Sequence, residues 1–550
     1  MAAAWDEACD FVIVGSGAGA VVAALAMQRA GRAPLILEKT DKLGGSTAMS
    51  GGVFWVPNNA LMQEAGVEDS YDQARAYLDA CAGESGPGSS PERRRAFLTY
   101  APKAIDFLRE NGMKFRHAEG YSDYHEGAYP GGVARSRSLV AEIFDMRELG
   151  ANAARLRRGA APPMMTHEAS ALTLYGHTWK SRRTMAKVGL RLLRNKLGAD
   201  LVGTGTAIQA RLFQIAFREK VPIWTEAPAL ELITEQGRVT GVRTLRDGRE
   251  VRVQARLGVL LNSGGFSHDK AMRDANLLQP NVDLSHANPG DTGEVIQMAQ
   301  ALGADTDLME QCWWVSTSEL PDGSRAIHPF DMSKPHSIVV DSAAQRFVNE
   351  STSYMAVGIA MYARHQTVPA VPSWWIVDDA HMRRYTRGGA PPAPPPKAWL
   401  DSGYMKQAPT IEALAMACGL DPAALKATVD RFNGFAAAGQ DADFHRGESA
   451  YDRFMGDPTN KPNPNLGALD QPPFHAVRLY PGDVGTCGGL MTDAFARVLR
   501  ADRTVIAGLY ATGNCTASVV GRSYPGAGAS IAAATTFAYI AARDAAGVND

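Results

Sequence analysis

Six small residues, Gly15-Ser16-Gly17-Ala18-Gly19-Ala20, have the spacing G-x-G-x-x-A. Glycines there let the backbone turn tightly and approach a pyrophosphate, whose charge suits the amide groups opening the next helix. Glu38, 23 residues after Gly15, has the position of an acid that accepts a hydrogen bond from a ribose hydroxyl. Such a turn needs a strand before it and a helix after it. Residues 10–14 (DFVIV) read as a short buried strand, and an alanine-rich helical stretch runs to about Arg29. A second apolar strand, PLIL, ends at Glu38. Strand, helix, strand and terminal acid in register predict a dinucleotide site; the plainer alternative is a glycine-rich turn in another α/β protein.

Three further segments suit an extended FAD better than a compact NAD. Residues 39–52 hold Lys39 and the small-residue run Gly44, Gly45, Ser46, Thr47, Ser50, Gly51 and Gly52. Such residues let backbone and hydroxyl groups lie against a large cofactor. A strand, VLLNSGGF, ends at Asn262 with Ser263, Gly264 and Gly265 after it, and another enters a turn at Gly513 and Asn514.

Bulk properties exclude other classes. The net charge of −2 lacks the basic excess of a nucleic-acid binder. The six cysteines show no CxxC spacing, so no metal site is expected, and free thiols fit a reducing cytoplasm. The N-terminus MAAAWDEACD has no basic n-region, and no apolar run reaches the roughly 18 residues of a membrane span.

Several blocks extend the pattern over nearly the whole chain: GSGAGA, EKTDKLGGSTAMSGG with WVPNN, GYSDYH, RFVNES with Tyr354, GTCGGL, and GLYATGN followed by GRSYPGAGAS. On these the chain resembles the fumarate reductase/succinate dehydrogenase flavoproteins, and within them most the 3-ketosteroid dehydrogenases, especially the Δ1 type. Fumarate reductase-like proteins carry a His and a dicarboxylate-clamping Arg in the last block. Here those positions hold Val520 and Tyr524. A phenol replaces bidentate carboxylate recognition with one hydrogen bond to a ketone. Arg522 lies nearby and has the chemistry for a carboxylate. The histidine that tethers flavin in succinate dehydrogenases has no counterpart in Ser46–Gly52, which implies non-covalent FAD.

The resemblance implies desaturation of a ring beside a ketone: a C1–C2 double bond, with proton loss from C2 and hydride transfer from C1 to flavin N5. Tyr524 and the Gly528 N–H would polarise the ketone, and Tyr354 would be the base. Tyr124, or else Tyr121, would be a supporting tyrosine. Ala529, Ser530 and Ile531 open a small-residue helix whose N-terminus favours negative charge on the flavin. For each tyrosine the plainer reading is a packed core aromatic. His125 stands where some relatives carry a phenol, or is an exposed loop histidine. Trp313 and Trp314 are expected to wall an apolar pocket, or to be ordinary core.

The expected fold class is α/β: a Rossmann-like FAD-binding domain (1–285 and 480–550) with an inserted α+β substrate domain (286–479). Residues 387–397 (RGGAPPAPPPK) read as a surface loop. Residues 180–196 are basic and partly amphipathic, which suits peripheral contact with anionic lipid by an otherwise cytoplasmic protein; a solvated helix is the plainer reading. The expected partners are a steroid and an unidentified electron acceptor, a quinone or another carrier, with no nucleic acid. The competing readings are a Δ4-dehydrogenase, a fumarate reductase-like reductase, and a flavin-containing binding or sensing protein.

Overall fold

The computed structural model describes residues 5–548. Its first sheet has eight strands and is built around Glu7–Val14. That strand pairs in parallel with Pro34–Leu37 on one side and with Arg249–Leu261 on the other. Phe11 to Val14 are all buried, as a parallel strand covered on both faces requires. The sheet continues through Ile223–Trp224 beyond one neighbour and Val505–Ala511 beyond the other, both parallel. The expected helix after the glycine turn is Ala18–Arg29. Its alanine-rich surface lets it pack closely on the C-terminal helix Ala529–Ala546. A Cβ on Gly19 would stand 2.9 Å from the Ala534 carbonyl oxygen of that helix.

The second sheet has six strands, all paired antiparallel, with Phe474–Thr486 at its centre. Phe474–Thr486 pairs with Cys312–Glu319 on one side and with Ser373–Val377 on the other. The strand runs through residue 480, so this sheet extends to Thr486. The long excursion between Glu38 and Ile223 carries a small antiparallel sheet, Val53–Trp55 with Ser138–Ala141 and Phe115–His117. It delivers the loop that contains Tyr121 and Tyr124. Residues 387–396 form a largely exposed loop. Among the described residues no helix is long and apolar enough to cross a membrane.

The segment leading to Tyr354 is fixed by buried charge. Arg346 lies 2.8 Å from both Glu350 and Asp441, and Arg446 lies 3.0 Å from Glu350. Glu350 also accepts from the Val339 amide (3.1 Å). Burial alone would raise the Glu350 carboxyl, but the two guanidinium groups outweigh it and hold it below the ordinary range. Breaking such a set strands its partners in a dry interior, which costs far more than an exposed pair would. Glu350→Gln is expected to destabilise the protein by about 3–5 kcal/mol. Denaturant unfolding of the FAD-loaded variant checks this; an unchanged midpoint would mean that the network contributes nothing.

Candidate active site

A cavity of about 670 Å³ is bordered by residues of both sheets, within the range of small-molecule sites. One part is the glycine turn. Gly15, Gly17, Ala18 and Gly19 border it, with Glu38, Lys39, Gly45, Ser46, Thr47, Ser50 and Gly51. So do Ser263, Gly264, Gly513, Asn514, Ser530 and Ile531. Gly15 adopts φ +98°, and a Cβ there would fall 2.4 Å from the Asn262 carbonyl oxygen. Only glycine satisfies both demands.

Five of the expected cofactor residues stand behind this wall and do not border the cavity. Ala20 is buried within its helix, and Ala529 is buried at the start of the C-terminal helix. Gly44 donates its amide to Ser16 Oγ (2.9 Å) and accepts from Gln209 (3.2 Å). Gly52 packs on the backbone of Thr204, and Gly265 on Thr486. Small size serves close packing at these places. Lys39 borders the cavity, but its ammonium is engaged by Glu294 (2.7 Å) and Thr292 (2.8 Å).

The donor set fits a dinucleotide. The helix Ala18–Arg29 opens beside the cavity with Gly17 as its cap. Glu38 is buried at the strand end, where it accepts from Ser16 and, at 2.9 Å, from the Thr40 amide and hydroxyl. Asn262 Nδ2 is buried with no partner among the described residues, so its donor is free for a ligand in the cavity that Asn262 borders. Sequence reasoning missed the segment Asn288–Asp291. Ser46 Oγ accepts from the Asn288 amide (2.9 Å) and donates to Asp291 (2.7 Å). Burial pushes the Asp291 carboxyl up to about 7. The turn-forming run Asn288-Pro289-Gly290-Asp291 was the available signal.

The cavity also reaches a cluster of phenols. Tyr121, Tyr124, Tyr354, Tyr451 and Tyr524 all border it. The Tyr354 and Tyr524 rings are 5.5 Å apart, and Tyr124 lies 5.7 Å from the first and 5.8 Å from the second. Tyr124 and Tyr451 are 4.6 Å apart, and the Tyr121 and Tyr124 hydroxyls are 3.5 Å apart. Burial, and then the neighbouring phenols, push the Tyr124 and Tyr354 hydroxyls well above the ordinary range. Burial takes Tyr121 to about 12. Tyr451 had no signal in the sequence, because an aromatic in a short helix (Ala450–Met455) reads as core.

Neighbouring contacts position Tyr354, Tyr524 and Tyr124. Tyr354 opens the helix Tyr354–His365, capped by Ser353 Oγ accepting from the Ala356 amide (3.3 Å). Asn349, in the segment before it, donates to Asp452 (2.9 Å), beside Tyr451. The Tyr524 hydroxyl meets Ser530 Oγ at 3.0 Å and the Ser530 amide at 3.4 Å, in the first turn of the C-terminal helix. Pro525 accepts from the Tyr77 hydroxyl (2.6 Å) and from the Tyr124 amide (3.0 Å). Beneath Tyr124, Asp123 accepts from Trp55 (2.7 Å) and from the fully buried Arg137 (2.6 Å), which also pairs with Asp69 (2.7 Å).

Three neighbours fall differently. Trp313 borders the cavity and lies 5.0 Å from the Tyr524 ring, but Trp314 faces the other way. It is buried against Tyr362, because successive residues of a strand point to opposite faces. His125 does not border the cavity; burial depresses its imidazole to about 4. Arg522 also lies outside the cavity wall and donates to Glu310 (2.7 Å), so it is no carboxylate clamp.

Comparison with known proteins agrees with this architecture. A family model described as "FAD binding domain" matches residues 10–531. The 3-oxosteroid 1-dehydrogenase of Mycolicibacterium smegmatis is 39% identical, over 97% of this chain and 96% of its own. The 4-oxocyclohexanecarboxylate 2-dehydrogenase of Sinomonas cyclohexanicum is 35% identical, over 98% of this chain and 93% of its own. The crystal structure of 3-ketosteroid Δ1-dehydrogenase from Sterolibacterium denitrificans, in complex with 1,4-androstadiene-3,17-dione, superposes with a TM-score of 0.92. It is 35% identical, over 99% of this chain and all of that one. The chain belongs to the FAD binding domain family, alongside the 3-oxosteroid 1-dehydrogenases.

Proposed function

We propose that the protein is an FAD-dependent 3-ketosteroid dehydrogenase that introduces a C1–C2 double bond. The observation that carries this reading is the pair Tyr354 and Tyr524, 5.5 Å apart on the cavity wall beside Trp313. A dicarboxylate would need a guanidinium there. Arg522 is turned out to Glu310, and Arg158, at another edge of the cavity, is held by both oxygens of Asp200.

FAD, held non-covalently by the glycine turn, Glu38, the 45–51 segment and the start of the C-terminal helix, supplies the two-electron acceptor for a hydride. The protein's own residues manage the proton and the ketone. The Tyr524 hydroxyl and the Gly528 N–H donate to the ketone oxygen, which lowers the cost of the charge that develops there. Tyr354 takes the proton from the adjacent ring carbon. Tyr124 and Tyr121 support it through their hydroxyls. The apolar walls of Trp313, Val315, Phe330 and Met455 exclude water and match a fused-ring substrate.

The protein also meets its substrate at a lipid surface, through the helix Trp179–Lys196. Only Ser181, Thr184 and Val188 of this helix are buried. Leu190, Leu193 and, just past its end, Leu197 follow i, i+3, i+7 spacing and are exposed, as is Trp179. Lys180, Arg183, Lys187, Arg194 and Lys196 have no ion pair among the described residues, and the helix contains no acid. Arg191 ties the helix to Glu168 (2.7 Å) and to Pro163 (3.1 Å), close to cavity-lining Ala161 and Thr166.

Four measurements test this reading. With an artificial electron acceptor and a steroid panel, mass spectrometry should find products two hydrogens lighter and unsaturated at C1–C2. A Δ4 product, or turnover of fumarate alone, would replace it with a competing reading. Tyr354→Phe and Tyr524→Phe should each lower turnover at least tenfold, about 1.4 kcal/mol, with the flavin spectrum retained; unchanged turnover would remove the residue's role. Because burial raises the Tyr354 hydroxyl, the active phenolate is the minor form at neutral pH. Below that raised value kcat/KM should climb about tenfold per pH unit, and a flat profile from pH 6 to 9 would exclude a phenolate base. Vesicles of phosphatidylglycerol, but not of phosphatidylcholine, should sediment the protein at low salt. Lys180→Glu with Lys187→Glu should abolish this at roughly 1 kcal/mol per charge, and equal binding of both vesicle types would sink the electrostatic contact.

A further inference from the structure

The strand Cys312–Glu319 measures the cavity. Alternate residues of a strand share a face, and Trp313 and Val315 border the cavity, with Thr317 next on that side. Trp313 marks the ketone end by its contact with Tyr524. Four residues of strand, about 13 Å, separate it from Thr317. That span is close to the long axis of a four-ring steroid. Ile327, in register with Thr317, borders the cavity and is exposed, so this is an end that meets solvent.

Here the wall becomes polar in one specific way. The Thr317 hydroxyl has a single proton, and it donates that proton to the Val315 carbonyl (3.0 Å). The 3.1 Å contact between Thr317 Oγ1 and His286 Nε2 is therefore donated by the imidazole. His286 is thus the Nε2–H tautomer, and its Nδ1 is an acceptor with no partner among the described residues. His286 borders the cavity and is half-buried. Burial depresses its imidazole to about 4; Asp483 opposes the shift, and Arg325 and His328 add to it, so the ring is neutral at physiological pH.

We infer that His286 Nδ1 accepts a hydrogen bond from the end of the steroid remote from the reacting ketone, which makes the enzyme favour a C17 hydroxyl over a C17 ketone. The inference rests on the dehydrogenase reading above. A hydroxyl brings the proton that Nδ1 needs, whereas a ketone sets one acceptor against another. His286 touches the substrate away from the reacting carbons, so its effect belongs to affinity and not to the chemical step.

The test uses 1,4-diene-3-ketosteroids, which lack the hydrogens to be removed and act only as ligands. Their dissociation constants are read from the perturbed flavin absorbance of the FAD-loaded protein. The 17β-hydroxy ligand should bind roughly fivefold more tightly than its 17-keto partner. His286→Leu should erase the difference, and His286→Gln, which keeps an acceptor, should retain part of it. Equal affinity in the unaltered protein, or a preference that survives His286→Leu, would overturn the inference. Turnover of the matching 1,2-saturated steroids is measured in parallel. A preference that vanishes with His286→Leu in a protein that oxidises no steroid would support the contact and overturn the dehydrogenase reading.

Discussion

The site depends on how the backbone from Tyr524 to Gly528 is pinned. Pro525 lends its carbonyl to both the Tyr77 hydroxyl and the Tyr124 amide, and Ala527 lends its own to Ser138 Oγ (3.0 Å). Gly528 adopts φ +90°, and a Cβ there would lie 2.1 Å from the Val53 carbonyl oxygen. Any side chain would force the turn away from the small sheet, and the C-terminal helix would leave with it. That helix closes on the glycine-turn helix through Gly19. The glycine-turn wall and the wall that bears Tyr524 are therefore tied through one piece of backbone, and neither moves without the other.

Burial keeps four of the clustered phenols neutral at rest. Five phenols share one cavity, and desolvation opposes charge on Tyr121, Tyr124, Tyr354 and Tyr451 alike. Two helix N-termini offset this where the proposed chemistry needs it. Tyr354 is the first residue of its helix, and the Tyr524 hydroxyl meets the Ser530 amide at the start of another. Partial positive charge at such ends favours an anion only within the first turn. It acts most directly on Tyr524, whose hydroxyl meets the Ser530 amide at 3.4 Å. On the proposed chemistry, such an amide would stabilise charge that develops during turnover without a fixed cation beside it.

The nucleotide half was legible because its constraints are local. Gly15, Gly17 and Glu38 each answer a demand that spacing along the chain reveals. Gly44, Gly52 and Gly265 show the limit of that logic: they are small because backbone or side chains press on them from behind the cavity wall. The substrate half was legible only where resemblance supplied it. Tyr451 comes from a distant helix, and its place beside Tyr124 depends on Asn349 and Asp452, which no local pattern links. The buried pairs of Arg137 and Arg446 are equally silent, since an arginine in sequence gives no sign that folding will enclose it. Trp313 and Trp314 looked alike, yet the two-residue period of a strand sends one to the cavity and the other to the core.

A cavity of this fold can in principle accept an anion or an apolar ketone, and a few side chains decide which. A clamp arginine would bring a fixed charge, and without its ligand that charge would sit unpaired beside the flavin. Tyr524 brings a hydroxyl that already has a hydrogen-bond partner in Ser530, so the empty site pays no such penalty. Arg522, two residues earlier, keeps its charge at the surface against Glu310. The segment thus keeps its cation at the surface and turns a hydroxyl, not a guanidinium, toward the cavity.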